Sequence, residues 1–456
     1  MGKCFSSSAD SIHKKKPTTL EKLHVRRSNF RKQYTVRETL YQKSKTSILL
    51  VTDKTTGENR AIKSIQVSEK SLNSLLYEVQ TLQKLDHPHI IKIFETYIEA
   101  ENLHIVTEFC SGGELIDRIS KRTNFNEHQA SIYMQQITSA LIYLHKSGII
   151  HKDLKPENII FADERENAPL RLMNFSKTRL NQESFLFKAP EGFSDEFVFK
   201  SDIWSLGVIF YLMLSGTLPF PESLSATDHF FWLQKNEISY EDKIWKTISP
   251  EAKDLLQKML EKNPITRLSA SGVYNHIWME KFLENQKTAR LSKKSLLKLS
   301  DYSRKSKFKR ALLSYMVTKV SIKADVQKLI KVFKTADKDA DGELTVDEII
   351  ECINKAEIAI DPLTIISAIN ANNKGLVTYS EFVTAFVDWT KELNLDRLKR
   401  VFSEMDLDGD GFISSREFAH ALNNKYSDEE VKTLMTEADL NGDGLVDFSE
   451  FCKFFQ

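Results

Sequence analysis

Three segments in the last third of the chain carry oxygen-bearing side chains in one repeating order. They are Asp337, Asp339, Asp341 and Glu348; Asp406, Asp408, Asp410 and Glu417; and Asp439, Asn441, Asp443 and Glu450. Each set stands at positions 1, 3, 5 and 12 of a stretch whose position 6 is glycine: Gly342, Gly411 and Gly444. A calcium ion takes about six to eight oxygens, and the chain supplying them must turn sharply between ligands, which is what the glycine permits. Position 7 contributes a backbone carbonyl, here from Glu343, Phe412 and Leu445. Position 8 is apolar in every case (Leu344, Ile413 and Val446), as expected where paired loops join through a short strand. A solvated acidic face would not repeat glycine at one fixed offset, so three calcium sites are expected.

Counting back from Glu381 gives a further stretch, with Asn370, Asn372, Lys374, Gly375, Val377 and Glu381 in the corresponding places. Its glycine and apolar position survive, but two neutral amides and an ammonium remove the attraction for a divalent cation. It is expected to bind no calcium and to serve as a structural partner. Loop starts separated by 33, 36 and 33 residues give the repeat of helix-loop-helix EF-hand units paired into two lobes.

Residues 325–456 hold 27 Asp and Glu against 14 Lys and Arg, a net of −13, while the remainder holds 50 basic and 36 acidic residues, a net of +14. Because the acids recur at fixed spacing, this asymmetry points to metal ligation, and no nucleic-acid partner is expected. Ahead of the acidic tail, from Leu291 to Val320, apolar Leu296, Leu297, Leu299, Phe308, Leu312, Tyr315 and Val320 interleave with Lys305, Lys307, Lys309 and Arg310. A basic amphipathic helix reads as a membrane-surface element or as a calmodulin target. The acidic module that begins at its end favours the target reading, which also separates a sensor from a plain calcium buffer.

Residues from Tyr34 to Trp278 resemble a protein-kinase domain, with motifs in that family's order. They include Ala61-Ile62-Lys63, Glu78 ahead of Leu85-Asp86-His87-Pro88, and His151-Lys152-Asp153-Leu154-Lys155-Pro156-Glu157-Asn158. Ala189-Pro190-Glu191, Asp202 to Gly207 and Arg267 match landmarks of the larger lobe. The resemblance implies catalytic roles for Asp153 (accepting the substrate hydroxyl proton), Lys155 (stabilising transferring charge) and Asn158 (binding magnesium). It implies nucleotide binding by Lys63, Glu78, Glu108, Cys110 and Asn174. Nearly end to end, the chain resembles the calcium-dependent protein kinase family, in which calcium draws a junction helix off a Ser/Thr kinase domain. The implied fold class is α+β: a two-lobed protein-kinase fold at 34–279, a junction and autoinhibitory helix at 285–324, and an all-α calmodulin-like domain of four EF-hands at 325–456. Residues 1–33 are expected to form a disordered N-terminal segment with an acylation signal.

The family pattern breaks at three places. Tyr41, Lys43 and Thr46 stand where the glycine-rich loop places its glycines, 17 to 22 residues before Lys63. A side chain there obstructs the close approach of backbone to phosphate. Asn174-Phe175-Ser176 replaces Asp-Phe-Gly, so a neutral amide stands where an anionic magnesium ligand belongs. The activation segment between Asn174 and Glu191 is short, with Phe185-Leu186-Phe187-Lys188 in place of a peptide platform, and Lys152 replaces the arginine that reads activation-loop phosphate at Thr178 or Ser184. ATP with magnesium is therefore expected to be impaired as a cofactor.

Met1-Gly2-Lys3-Cys4-Phe5-Ser6 fits N-myristoylation of Gly2, with Cys4 as a palmitoylation candidate. One acyl chain anchors marginally and two anchor stably, so a cytoplasmic, membrane-associated protein is expected. Cys4, Cys110, Cys352 and Cys452 lie far apart, which suggests neither disulfides nor zinc. No apolar run approaches the ~18 residues that span a bilayer. Two functions follow: a calcium-gated pseudokinase scaffold whose output is binding to a protein partner, or a calcium-dependent Ser/Thr kinase working through Asp153.

Overall fold

The computed structural model describes residues 26, 29–43, 45–121, 125–174, 182–194, 196–283, 306–319, 326–354, 376–387, 389, 393–422 and 427–455. The acylation candidates Gly2 and Cys4, the loop residues Asn370, Asn372, Lys374 and Gly375, Thr178, and the junction before position 306 lie outside them.

The first lobe is a five-stranded antiparallel sheet in the order β1-β2-β3-β5-β4: β1 Tyr34–Lys43, β2 Thr46–Asp53, β3 Asn59–Gln66, β4 Ile93–Glu99 and β5 Asn102–Glu108. Its side chains alternate between two faces. One face packs Val51, Ile62 and Val106 with Phe30, Tyr34, Phe94 and Tyr97; the other packs Ile65, Leu103 and Ile105 against Leu76 and Val79 of the helix Glu69–Gln83. Lys43 of β1 pairs with Thr46 of β2.

The second lobe is helical and built on Glu127–Lys146 and Phe199–Ser215, both buried along most of their length. Asn126 caps the first by accepting from the Gln129 amide, and Gly216, at φ +79°, ends the second in a conformation that glycine adopts without strain. Glu191 and buried Arg267 tie the lobe together through an ion pair of 2.6 Å.

In the tail, Glu343–Thr345 pairs with Leu376–Thr378, placing Leu344 opposite Val377, and Phe412–Ile413 pairs with Val446–Asp447, placing Ile413 opposite Val446. The apolar position 8 residues thus meet in pairs. Thr378, Ser414 and Asp447 cap the following helices, and the glutamates at position 12 (Glu381, Glu417 and Glu450) complete the capping boxes.

Within the expected junction, Lys307–Lys319 is helical, and its apolar side is buried in the tail. Phe308 stacks on Phe418 at 4.8 Å and meets Phe454 edge-on at 4.9 Å, while Leu312, Leu313 and Met316 are buried beside it. Lys309 donates to the Phe454 carbonyl, and Lys92 of the kinase domain donates to the Val317 carbonyl near the helix end. No helix among the described residues is long and apolar enough to cross a membrane.

Candidate functional site

Lys63 lies on central strand β3, opposite Ile48 and Ile105, and faces the cleft between the lobes. Its ammonium donates to Asn174 Oδ1 at 2.8 Å. An ammonium can only donate, so this bond fixes the Asn174 amide with its oxygen toward Lys63. The amide nitrogen then donates to Asn158 Oδ1 at 2.8 Å, and Asn158 Nδ2 in turn donates to Asp153, at 3.0 Å to Oδ2 and 2.6 Å to its carbonyl. Lys155 stands 3.7 Å from Asp153 Oδ2. One hydrogen-bonded chain therefore links Lys63, Asn174, Asn158 and Asp153. Burial lowers the Lys63 pKa, opposed by the charges of Glu78 and then Asp153.

The catalytic segment is held from behind by buried Asp202, whose carboxylate accepts from the backbone of His151 at 2.9 Å and of Lys152 at 3.0 Å. Asn174 itself has φ +61°, a left-handed conformation that asparagine tolerates better than most residues. Glu108 directs its carboxylate to Arg171 and the Lys92 amide. Burial raises the pKa of the neighbouring Cys110 thiol, so it stays protonated. The Lys43 ammonium lies 5.9 Å from the centre of the exposed Tyr41 ring. Beside Asp153, Phe187, Lys188 and Phe197 line a small crevice.

In this arrangement the amide oxygens of Asn174 and Asn158, where the resemblance places a magnesium-nucleotide, both accept hydrogen bonds from side chains. Magnesium needs closely placed oxygens, usually with carboxylate charge. Here the Asn174 oxygen accepts from Lys63, and the Asn158 oxygen accepts from Asn174.

The tail loops fit calcium. Single carboxylate oxygens of Asp337, Asp339 and Asp341 lie within 4.8 Å of one another, as do those of Asp406, Asp408 and Asp410. Gly342, Gly411 and Gly444 take φ values of +81°, +89° and +83° and donate to the first ligands, Asp337, Asp406 and Asp439. Burial, and then repulsion from Asp341, Glu348 and Asp339, push Asp337 up to about 8 despite the Gly342 N–H. Crowded carboxylates of this kind call for a cation. Asn441 stands among Asp439, Asp443 and Glu450, and Asp443 accepts from Leu445. Glu348, Glu417 and Glu450 close their loops by accepting from Lys338, Leu407 and Leu440.

The structure also brings together residues that sequence reasoning missed. Lys146 pairs with Asp341 at 2.5 Å and with Glu343 at 3.1 Å. Asp86 accepts from Ser380, at 3.0 Å from its amide and 2.7 Å from its hydroxyl. Buried Arg400 reaches Tyr34 at 2.6 Å, Glu95 at 2.9 Å and Asp53 at 3.1 Å, and pairs with Glu404 in its own helix at 2.8 Å. These contacts fasten the tail to the kinase domain on the Asp86, Glu95 and Lys146 side. A charged residue inside an amphipathic helix gives no local sign that a distant partner will bury it.

Known proteins agree with this architecture. The protein kinase domain family matches residues 34–279, the EF hand family matches 329–353, and the EF-hand domain pair matches 395–456. The chain is 32% identical over 393 residues to calcium-dependent protein kinase 5 of Plasmodium falciparum, covering 83% of this chain and 68% of the relative. It is 32% identical over 431 residues to calcium-dependent protein kinase 4 of Plasmodium berghei, covering 87% and 81%. Calcium-dependent protein kinase 17 of Arabidopsis thaliana is 29% identical over 390 residues, covering 82% and 73%. With a kinase domain, a buried basic helix and calcium-binding EF-hands in one order, the chain belongs to the calcium-dependent protein kinase family.

Proposed function

We propose that this chain is a calcium-gated signalling scaffold: a pseudokinase, or a strongly impaired kinase, that answers calcium by changing what its kinase-fold surface binds. The observation that carries this reading is the hydrogen-bonded chain from Lys63 through Asn174 and Asn158 to Asp153, which engages the groups that would otherwise hold a metal-phosphate cluster. Electrostatic stabilisation of that cluster supplies most of the rate in phosphoryl transfer. The side chains of Tyr41 and Lys43, at positions where the family has glycines, point the same way.

Calcium enters at three loops, those of Asp337, Asp406 and Asp439. The junction helix is the tail's own target, a reading supported by Phe308 packed against Phe418. Release of that helix from the kinase domain is the gate. Acylation at Gly2 and Cys4 places the protein on a cytoplasmic membrane surface, where its partner is another protein and not nucleic acid.

The second reading, an active calcium-dependent Ser/Thr kinase, draws on the retained grouping of Asp153, Lys155 and Asn158 within bonding reach of one another. Transfer from labelled ATP to a basic protein and to the chain itself, with and without calcium and beside an Asp153→Asn control, separates the two. The scaffold reading expects no transfer above the control; transfer that requires both calcium and Asp153 would overturn it.

A further inference from the structure

The first calcium loop differs from the third and fourth in what surrounds it. A Cβ built on Gly411 or Gly444 would meet no atom within 4 Å, whereas on Gly342 it would come within 2.8 Å of His87 and Tyr143 of the kinase domain. Ser139 donates to the Ala340 carbonyl at 3.3 Å, in the same loop. Both Asp341 oxygens are engaged: Oδ1 accepts from the Glu343 amide at 2.9 Å, and Oδ2 meets the Lys146 ammonium. Lys146 also holds the Glu343 carboxylate, at the position whose backbone oxygen serves the metal. Among the described residues, no kinase-domain cation pairs with the carboxylates of the third and fourth loops.

We propose that Lys146 is a tethered cation that shares Asp341 with calcium, so that filling the first loop and holding it against the kinase domain oppose each other. Asp341 is the ligand at position 5. An ammonium within bonding distance cancels part of the charge that draws the metal, and calcium affinity follows ligand charge. The opposition is reciprocal, because whatever factor docking removes from calcium affinity, calcium removes from docking. The Lys146 side chain is 45% exposed, so solvent screens the coupling and keeps it moderate. Loops three and four therefore fill first, and the docked first loop answers only to higher calcium. This holds whether or not the kinase domain transfers phosphate.

The test uses the full chain and follows peptide-resolved amide exchange over residues 337–348 as calcium is titrated, which reads the first loop apart from the others. Lys146→Met is expected to lower the calcium midpoint of that peptide by about 2- to 5-fold, the range that a half-exposed ion pair supplies. Lys146→Arg keeps the charge and should stay close to the parent, and peptides of the third and fourth loops should not move in either variant. A Lys146→Met midpoint equal to or above the parent's would overturn the proposal, as would a fall shared by Lys146→Arg. Half-exposed Lys146 sits at the end of its helix, so both variants should fold, which the unchanged third-loop and fourth-loop peptides verify in the same experiment.

Discussion

Asn174 decides how every amide in the cleft is turned. Lys63 can only donate, so the Asn174 oxygen must face it, its nitrogen must face Asn158, and the Asn158 nitrogen must face Asp153. A carboxylate at 174 would still accept from Lys63 but could not donate to Asn158, which would be free to turn its oxygen outward. Asn174→Asp is therefore expected to create magnesium-dependent nucleotide binding where the parent has little. A ligand at about 100 times its Kd stabilises its protein by about 2.7 kcal/mol, and a rise in Tm with ATP and magnesium, absent without magnesium, would report it. Equal Tm responses in parent and variant would remove Asn174 as the cause. The sequence made the substitution legible, because one amide stands in a known motif. It did not make the relay legible, because that depends on how Lys63, 111 positions away, orients the amide.

Helix Lys307–Lys319 was readable as basic and amphipathic, and the acidic module after it favoured a calmodulin-like groove over a membrane, but the residues that receive it were not readable. The structure gives it an aromatic seat: Phe308 lies against Phe418 and Phe454, and Lys309 reaches the Phe454 carbonyl. Removing a buried aromatic costs about 3–5 kcal/mol, so Phe308→Ala should loosen the helix from the tail. Limited proteolysis within 306–319 should speed up with the kinase domain still intact; an unchanged cleavage rate would mean the helix is held elsewhere. The calcium loops were the most legible elements, because ligand spacing lies within twelve consecutive residues and needs no tertiary information. The short strands followed from the same spacing, with Leu344 opposite Val377 and Ile413 opposite Val446.

At the scale of the whole molecule, the kinase domain and tail are joined in part by buried charged groups, Arg400 with Glu95 and Asp53. Burial pushes the Glu95 pKa up, but Arg400, Arg26 and the hydroxyls of Tyr34 and Tyr97 outweigh it and hold the group at about 2, below its ordinary 4.5. A carboxyl depressed by folding contributes its full stability above the ordinary value and loses it as pH falls through the folded one. Docking of the tail should thus weaken between about pH 4.5 and 2. Arg400→Met leaves Glu95 and Asp53 buried with one cation fewer, at a cost of about 3–5 kcal/mol, and should move that acid transition upward. Amide exchange in β1 and β4 measured against pH would register the shift; coincident profiles would show that Arg400 does not hold the domains together. None of this interface was legible in the sequence, because nothing local to Arg400 or Glu404 names partners more than 300 positions earlier in the chain. Asp86 carries a last consequence, concerning biogenesis. The amide of Ser380 is an early donor of helix Tyr379–Phe386, and its acceptor lies 294 positions earlier in the chain. Ribosomes deliver the N-terminal domain first. The acceptor for that turn is therefore synthesised long before the turn itself, and the tail's first lobe matures beside a neighbour that is already waiting.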